Sequence, residues 1–439
     1  MILENSHSER MPARFALLVA AAVATLCVLA YGRALSLPFI ADDYLQIELG
    51  RQFAPPSGWS ALALDPLYRC RATSMFVTYW LDSLFGPNPF YFNLASLFLH
   101  VLNSLLVFAL GTWRMVGWKV SAIAACFFAI CLRPSEAVIW FAAVPELLVF
   151  FFVLCGFLCW VGWLQEEKRK TLWLAGAYVF FLLGLASKES AVILTAMCAM
   201  AVLVHREMPL RRLWAVLPLA IISTAYFAIA FLARDSHQHF NDGTFSLQAP
   251  VVEVLVRSMG GLLWVWGAAA LALMVVRGNS SRLKLTAIGL AWMVITLLPY
   301  AFLTYMVRVP SRHTYLASVG LALIVAHGLL LLRECSLRWR RPWLVPAFSM
   351  VIVIHQFSYL WVILHNRYEL RAEPTEKLVQ LLRQAPPAVY ASCFPYSPQI
   401  AESVARVIST EVRRTRFVEG AEASMRTDAV DFCNSLVHH

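Results

Sequence analysis

Apolar runs of membrane length recur through most of this chain and leave it few ways to fold. The first is Phe15 to Tyr31, and others follow until about residue 365. Inside a bilayer every backbone N–H and C=O must find a partner within the protein, so such runs become crossing helices. Composition agrees. Of 439 residues 60% are hydrophobic and 14% are charged, with a mean hydropathy of +0.66. A water-soluble core cannot hide that much apolar surface. The expected fold is an all-α polytopic membrane protein, and 15 Trp, 14 Tyr and 28 Phe suit its interfacial aromatic belts.

The net charge of +10 does not indicate a nucleic-acid partner. Residues 366–439 hold nine Lys/Arg and nine Asp/Glu, so the excess lies in the membrane part. After Phe15–Tyr31, read as a retained helix and not a cleaved leader, further apolar runs give about 11 transmembrane helices in all. The loops Arg114–Lys119, Glu166–Lys170, His205–Arg212, Arg277–Lys284 and Arg333–Arg341 carry fifteen Lys/Arg, against nine in the opposite short loops. By the positive-inside rule the N-terminus is cytoplasmic and the C-terminus extracytoplasmic. The first outer loop is long. Its segment Tyr68–Phe85 mixes Arg69, Arg71, Thr78 and Asp82 with Phe76, Trp80 and Leu84, the pattern of an interfacial helix.

Two units are expected: residues 1–365 as the transmembrane domain and 366–439 as a small extracytoplasmic α/β tail. In the tail, Arg367–Gln384 is charged and amphipathic, Ala388–Phe394 strand-like and Pro398–Thr410 helix-like. No repeat of 20–50 residues is visible. The ten cysteines lack metal-type spacing. Cys70, Cys393 and Cys433 fall on the outer side, where a disulfide among them is allowed and the pair is left open.

Polar residues gather at one set of helix ends. Asp42 and Asp43 follow the first span at once, in Pro38-Phe39-Ile40-Ala41-Asp42-Asp43-Tyr44. The same side carries Tyr68-Arg69, His100 with Asn103, Arg133-Pro134-Ser135-Glu136, Glu146, Ser187-Lys188-Glu189-Ser190, and Arg308 through Tyr315. Ionisable groups at a membrane are costly to place and mark function by default. A transport path would put them near mid-membrane, whereas this spread suits a cavity opening outward. Asp42 or Asp43 fits a general base, or the two together a divalent-cation site needing a third ligand. Lys188, Arg312 and His313 are cations suited to a phosphate, with Tyr315 as a hydroxyl donor. Each has a plainer alternative. His100 and Asn103 fit interhelical hydrogen bonds, Glu136 and Glu146 fit pairing with Arg133 or helix capping, and Lys188-Glu189 fits a snorkelling interface pair.

Taken in order, these elements resemble the GT-C class of multi-spanning glycosyltransferases. The likeness is nearest to the protein O-mannosyltransferase group with transmembrane and tetratricopeptide-repeat regions, and to its bacterial relatives. It covers roughly residues 30 to 330. It runs through Phe39-Ile40-Ala41-Asp42-Asp43, Tyr68-Arg69, Phe92-Asn93 with His100 and Asn103, and Arg133-Pro134-Ser135-Glu136-Ala137-Val138-Ile139-Trp140. It continues with Ser187-Lys188-Glu189-Ser190-Ala191 and with Arg312-His313-Thr314-Tyr315-Leu316-Ala317-Ser318-Val319-Gly320. Two positions depart from the family pattern: Cys70 where Pro is common and Arg133 where His is common.

The resemblance implies transfer of a sugar, a hexose or pentose, from a polyprenyl-phosphate carrier to a glycan, lipid or protein acceptor on the extracytoplasmic face. Asp42 and Asp43 would be catalytic, with Lys188 and Arg312 near the carrier phosphate. Arg69, His100, Arg133, Glu136, Glu189, His313 and Tyr315 would bind substrate. No cofactor is assigned with certainty, a divalent metal is left open, and a bacterial inner membrane is the expected location. The alternatives are a lipid-linked-glycan transporter or flippase, a non-catalytic lipid-binding relative, and a glycan polymerase or ligase.

Overall fold

Leu, Ala, Phe and Val fill the apolar runs, and with no polar side chain competing for the backbone they become helices. The computed structural model describes residues 11–166, 168–205, 209–236, 243–278, 280–303, 307–384, 388–408, 414–417 and 429–432. Among these, seven helices are long and apolar enough to cross a membrane: Ala13–Ser36, Pro89–Thr112, Phe141–Gln165, Leu210–Leu232, Arg282–Phe302, Ser318–Arg338 and Leu344–Arg383. An eighth results if Val251–Leu263 and Trp266–Arg277, bent by 89°, form one broken span. Trp118–Ala129, Lys170–Leu185 and Glu189–Val204 are apolar but shorter. The chain is a multi-pass membrane protein. Fewer full-length spans appear than the roughly 11 expected, because several apolar runs leave the helix early and turn into a polar cluster at one end of the bundle.

The elements that build that end are α1 (Ala13–Tyr31), α2 (Asp42–Phe53), α3 (Ala72–Phe85), α4 (Pro89–Ala109) and α5 (Val144–Gln165). They are followed by α6 (Ser280–Leu297), α7 (Ser318–Arg338), α8 (His365–Arg383) and α9 (Pro398–Ile408). Pro89 starts α4 at a position where its missing N–H costs nothing, and the Asn88 side chain accepts from Phe90 N. The bundle interior packs Phe128, Phe150, Phe157, Trp160 and Trp292, all fully buried. Helices α6 and α7 cross at Gly289 and Gly320, where a Cβ on Gly320 would lie 2.4 Å from the Gly289 carbonyl oxygen. Small residues let the two backbones meet.

The C-terminal residues form a three-stranded parallel sheet, β1 (Ala388–Ser392), β2 (Arg414–Phe417) and β3 (Ala429–Asp431), in the order β2-β1-β3. Val389 pairs with Thr415, and Ala391 with Val430. Parallel neighbours need a crossover, and α9 supplies one between β1 and β2. This sheet does not hang free. Leu378, Val379 and Leu382 of α8 and Val404 and Ala405 of α9 share a buried cluster with Phe39, Tyr44, Ile47, Phe92 and Phe141. Arg406 reaches Glu48 on α2 at 2.9 Å, and the helical run Leu344–Arg383 passes residue 365 without a break. Cys393 is disulfide-bonded while Cys70 is a free buried thiol; Cys433 lies outside the described residues.

Candidate active site

The acid pair sits on a tight turn. Asp43 N donates to Ile40 O at 2.9 Å, closing Ile40–Asp43, and Ala41 takes φ 40 and ψ −100. That is close to the first central position of a type II′ turn, normally given to Gly. A side chain held there costs about 1–3 kcal/mol and persists only where the surroundings fix it. Here they do. Asp43 accepts from Ile40 N at 2.8 Å and from Ala142 N at 2.6 Å, Trp140 Nε1 donates to Ile40 O at 3.3 Å, and Ala41 N donates to Thr375 Oγ1 at 3.4 Å. Asp43 is therefore a clamp, with both carboxyl oxygens engaged by backbone. Burial pushes its carboxyl up to about 7, against the pull of those two N–H groups. Asp42 begins α2, and its carboxyl is likewise raised by burial while the Arg312 and Arg371 guanidiniums hold it down.

Glu136 organises those cations. Its Oε1 meets Arg312 Nη1 at 3.1 Å and Arg371 Nη1 at 3.5 Å, and its Oε2 accepts from Arg312 N at 3.2 Å. Both guanidiniums lie over the Trp140 ring, at 5.2 Å for Arg312 and 4.9 Å for Arg371. Arg133 contributes its carbonyl, which accepts from Ser311 Oγ at 2.6 Å.

A second cluster adjoins the first. Lys188 and His313 both bond Glu146 Oε1, and the Tyr300 hydroxyl lies 2.8 Å from Glu146 Oε2 and from Ser190 Oγ. The His313 ring stacks on Tyr300 at 4.4 Å. Burial and the neighbouring Lys188 push His313 down to about 3, so the ring is neutral. Burial also lowers Lys188, opposed by Glu146. Arg71 reaches Glu189 at 3.7 Å, while Arg69 Nε and Nη2 and Arg71 Nε are buried with no hydrogen-bond partner. The single 3₁₀ turn Ser311–Thr314 sends Arg312 to the first cluster and His313 to the second.

The structure thus brings Asp42, Glu136 and Arg312 together and sets Lys188, Glu189 and His313 beside them. Lys188 pairs with Glu146, whereas Arg312 pairs with Glu136. A buried carboxylate needs a counter-ion, and Glu146 holds Lys188 in that role. His100 and Tyr315 face each other inside the bundle. His100 Nδ1 is 2.7 Å from the Tyr315 hydroxyl and Nε2 is 3.2 Å from Ala129 O, while Asn103 donates to Leu147 O at 3.0 Å. These are interhelical bonds. Among the described residues no three of His, Cys, Asp and Glu converge as metal ligands would. A cavity of about 320 Å³ opens beside Ser36, Phe39, Tyr44, Asn88 and Arg383; Asp42 is not in its wall. Sequence reasoning left out Tyr300 and Arg371. Tyr300 sits in a plain apolar run, and Arg371 falls in a stretch that reads as a separate tail.

By sequence the chain matches no protein-family model and no curated protein. By structure it is similar to ArnT from Cupriavidus metallidurans bound to undecaprenyl phosphate, with 11% identity over 97% of this chain and 91% of that one, at a TM-score of 0.56. It is also similar to the Archaeoglobus fulgidus oligosaccharyltransferase tethered to an acceptor peptide. There the identity is 11%, over 91% of this chain and 63% of that one, at a TM-score of 0.51. The fold is GT-C. Within this fold, Asp42 at the exit of the first span lies within electrostatic reach of Arg312 in the Ser311–Thr314 turn and of Arg371 in α8.

Proposed function

We propose that the chain is an integral-membrane glycosyltransferase that moves a sugar from a polyprenyl-phosphate carrier to an acceptor on the extracytoplasmic face, in a bacterial inner membrane. The observation that carries this reading is a half-buried carboxylate, Asp42, within electrostatic reach of the Arg312 guanidinium in a GT-C fold. Asp42 takes the proton of the acceptor hydroxyl or amine. The acceptor then attacks the anomeric carbon, the bond from that carbon to the phosphate oxygen breaks, and its electron pair leaves with the carrier phosphate. Arg312 stabilises the charge that grows on that phosphate. Inversion at the anomeric carbon follows from the class resemblance. Asp43 holds the turn that aims Asp42, and the Glu146–Lys188–His313 cluster fixes the turn that aims Arg312.

Mass spectrometry of glycans, lipids and proteins from cells with and without the chain tests the reading. An Asp42→Asn variant should insert and fold normally and yet give the profile of cells lacking the chain. Full transfer by that variant, or no difference between the two cell types, would overturn it.

A further inference from the structure

We propose that the C-terminal helix α8 supplies a second phosphate-binding cation, Arg371, so that the lipid-borne phosphate is gripped by the two guanidiniums that share Trp140 and Glu136. The inference rests on the transferase reading above and deepens it.

Arg312 and Arg371 reach Trp140 from different parts of the chain and share one oxygen of Glu136. Their side chains are 25% and 35% exposed, against 11% for Lys188. Of these three cations the two arginines are the more open to a ligand. A guanidinium carries five N–H donors in a planar fork that fits phosphate oxygens in pairs. The Arg371 contact to Glu136 is long, at 3.5 Å, and its guanidinium, which also engages Tyr368 and Tyr396, would trade the long contact for a phosphate oxygen. Trp140 orients both heads through cation–π contact. The position of Arg371 is set by the core its helix shares with Phe39, Tyr44 and Ile47, by Thr375 on Ala41 N, and by the Tyr396 hydroxyl bonded to the Arg371 carbonyl.

The chemistry gives two cations a purpose. The donor phosphate is a diester with one negative charge. When the anomeric C–O bond breaks, the electron pair stays on the phosphate, which leaves as a monoester with greater charge, while the acceptor proton goes to Asp42. One guanidinium is offset by Glu136, and the second meets the charge that appears.

The test uses the full chain in nanodiscs, with undecaprenyl monophosphate, undecaprenol and inorganic phosphate as probes. Arg371→Ala should weaken binding of the monophosphate about 10- to 100-fold, and Arg371→Lys should recover part of it. Binding of undecaprenol should not change, and inorganic phosphate should bind far more weakly than the lipid. In turnover, Arg371→Ala should raise the donor KM more than it lowers kcat; a merely structural role would reduce the amount of active protein and leave KM alone. If Arg371→Ala does not fold, Arg371→Gln against Arg371→Lys gives the same comparison. Wild-type affinity in the Ala or Gln variant while Arg312→Ala loses binding would overturn the inference. So would inorganic phosphate binding as tightly as the lipid. The transferase reading is tested apart, since Asp42→Asn should bind the monophosphate normally and transfer no sugar.

Discussion

At the scale of single residues, the two adjacent aspartates do different work. Asp43 gives both oxygens to backbone N–H groups and holds a turn that Ala41 enters at φ 40. Asp42 lies within electrostatic reach of Arg312 and Arg371. That an acid pair matters is legible from its place directly after an apolar run. The division of labour is not, because two identical neighbours differ only in which backbone they meet. A pH prediction follows. A base must be ionised, and burial lifts the Asp42 carboxyl, so kcat/KM should fall as pH drops through a value above the ordinary carboxylate range. Arg312→Ala removes a cation that favours the ionised form. Its acid limb should therefore move to higher pH than wild type, measured as kcat/KM across pH with saturating acceptor. An unmoved limb would remove Asp42 from that role.

At the scale of elements, helix packing depends on where small residues fall. Gly320 and Gly289 let α6 and α7 touch, with 2.4 Å between a built Cβ and the facing carbonyl oxygen. Backbone cannot step aside cheaply, so Gly320→Ala should destabilise by about 1–3 kcal/mol, read as a lower midpoint of thermal unfolding in detergent. Gly86, with nothing within 4 Å of its Cβ position but φ 67, marks the turn between α3 and α4. The long helices were legible from their apolar runs alone. The exact ends of the short ones, such as Trp118–Ala129, are less legible, because Ile130, Cys131 and Leu132 continue the apolar pattern while the backbone leaves the helix to feed Arg133–Glu136 into the cluster. His100 and Tyr315 illustrate the converse. Nothing local in the sequence pairs them, and their polar atoms bond each other inside the bundle.

At the scale of the whole molecule, one buried cluster draws on residues from both sides of position 365. Leu378, Leu382 and Val404 bury against Phe39, Tyr44 and Ile47, contacts between positions more than three hundred residues apart that no local pattern announces. A chain ended after residue 365 should therefore lose the ordered acid turn as well as the tail. It should be cleaved by protease near Ala41 under conditions where the full chain resists, and equal resistance would show that the tail is dispensable. Finally, the Ser311–Thr314 turn has a mechanical meaning. One rigid peptide carries Arg312 into a partly open compartment and His313 into a closed one, so the two charge networks are geared together: whatever repositions the buried Glu146 partnership also re-aims the arm that reaches the acid turn.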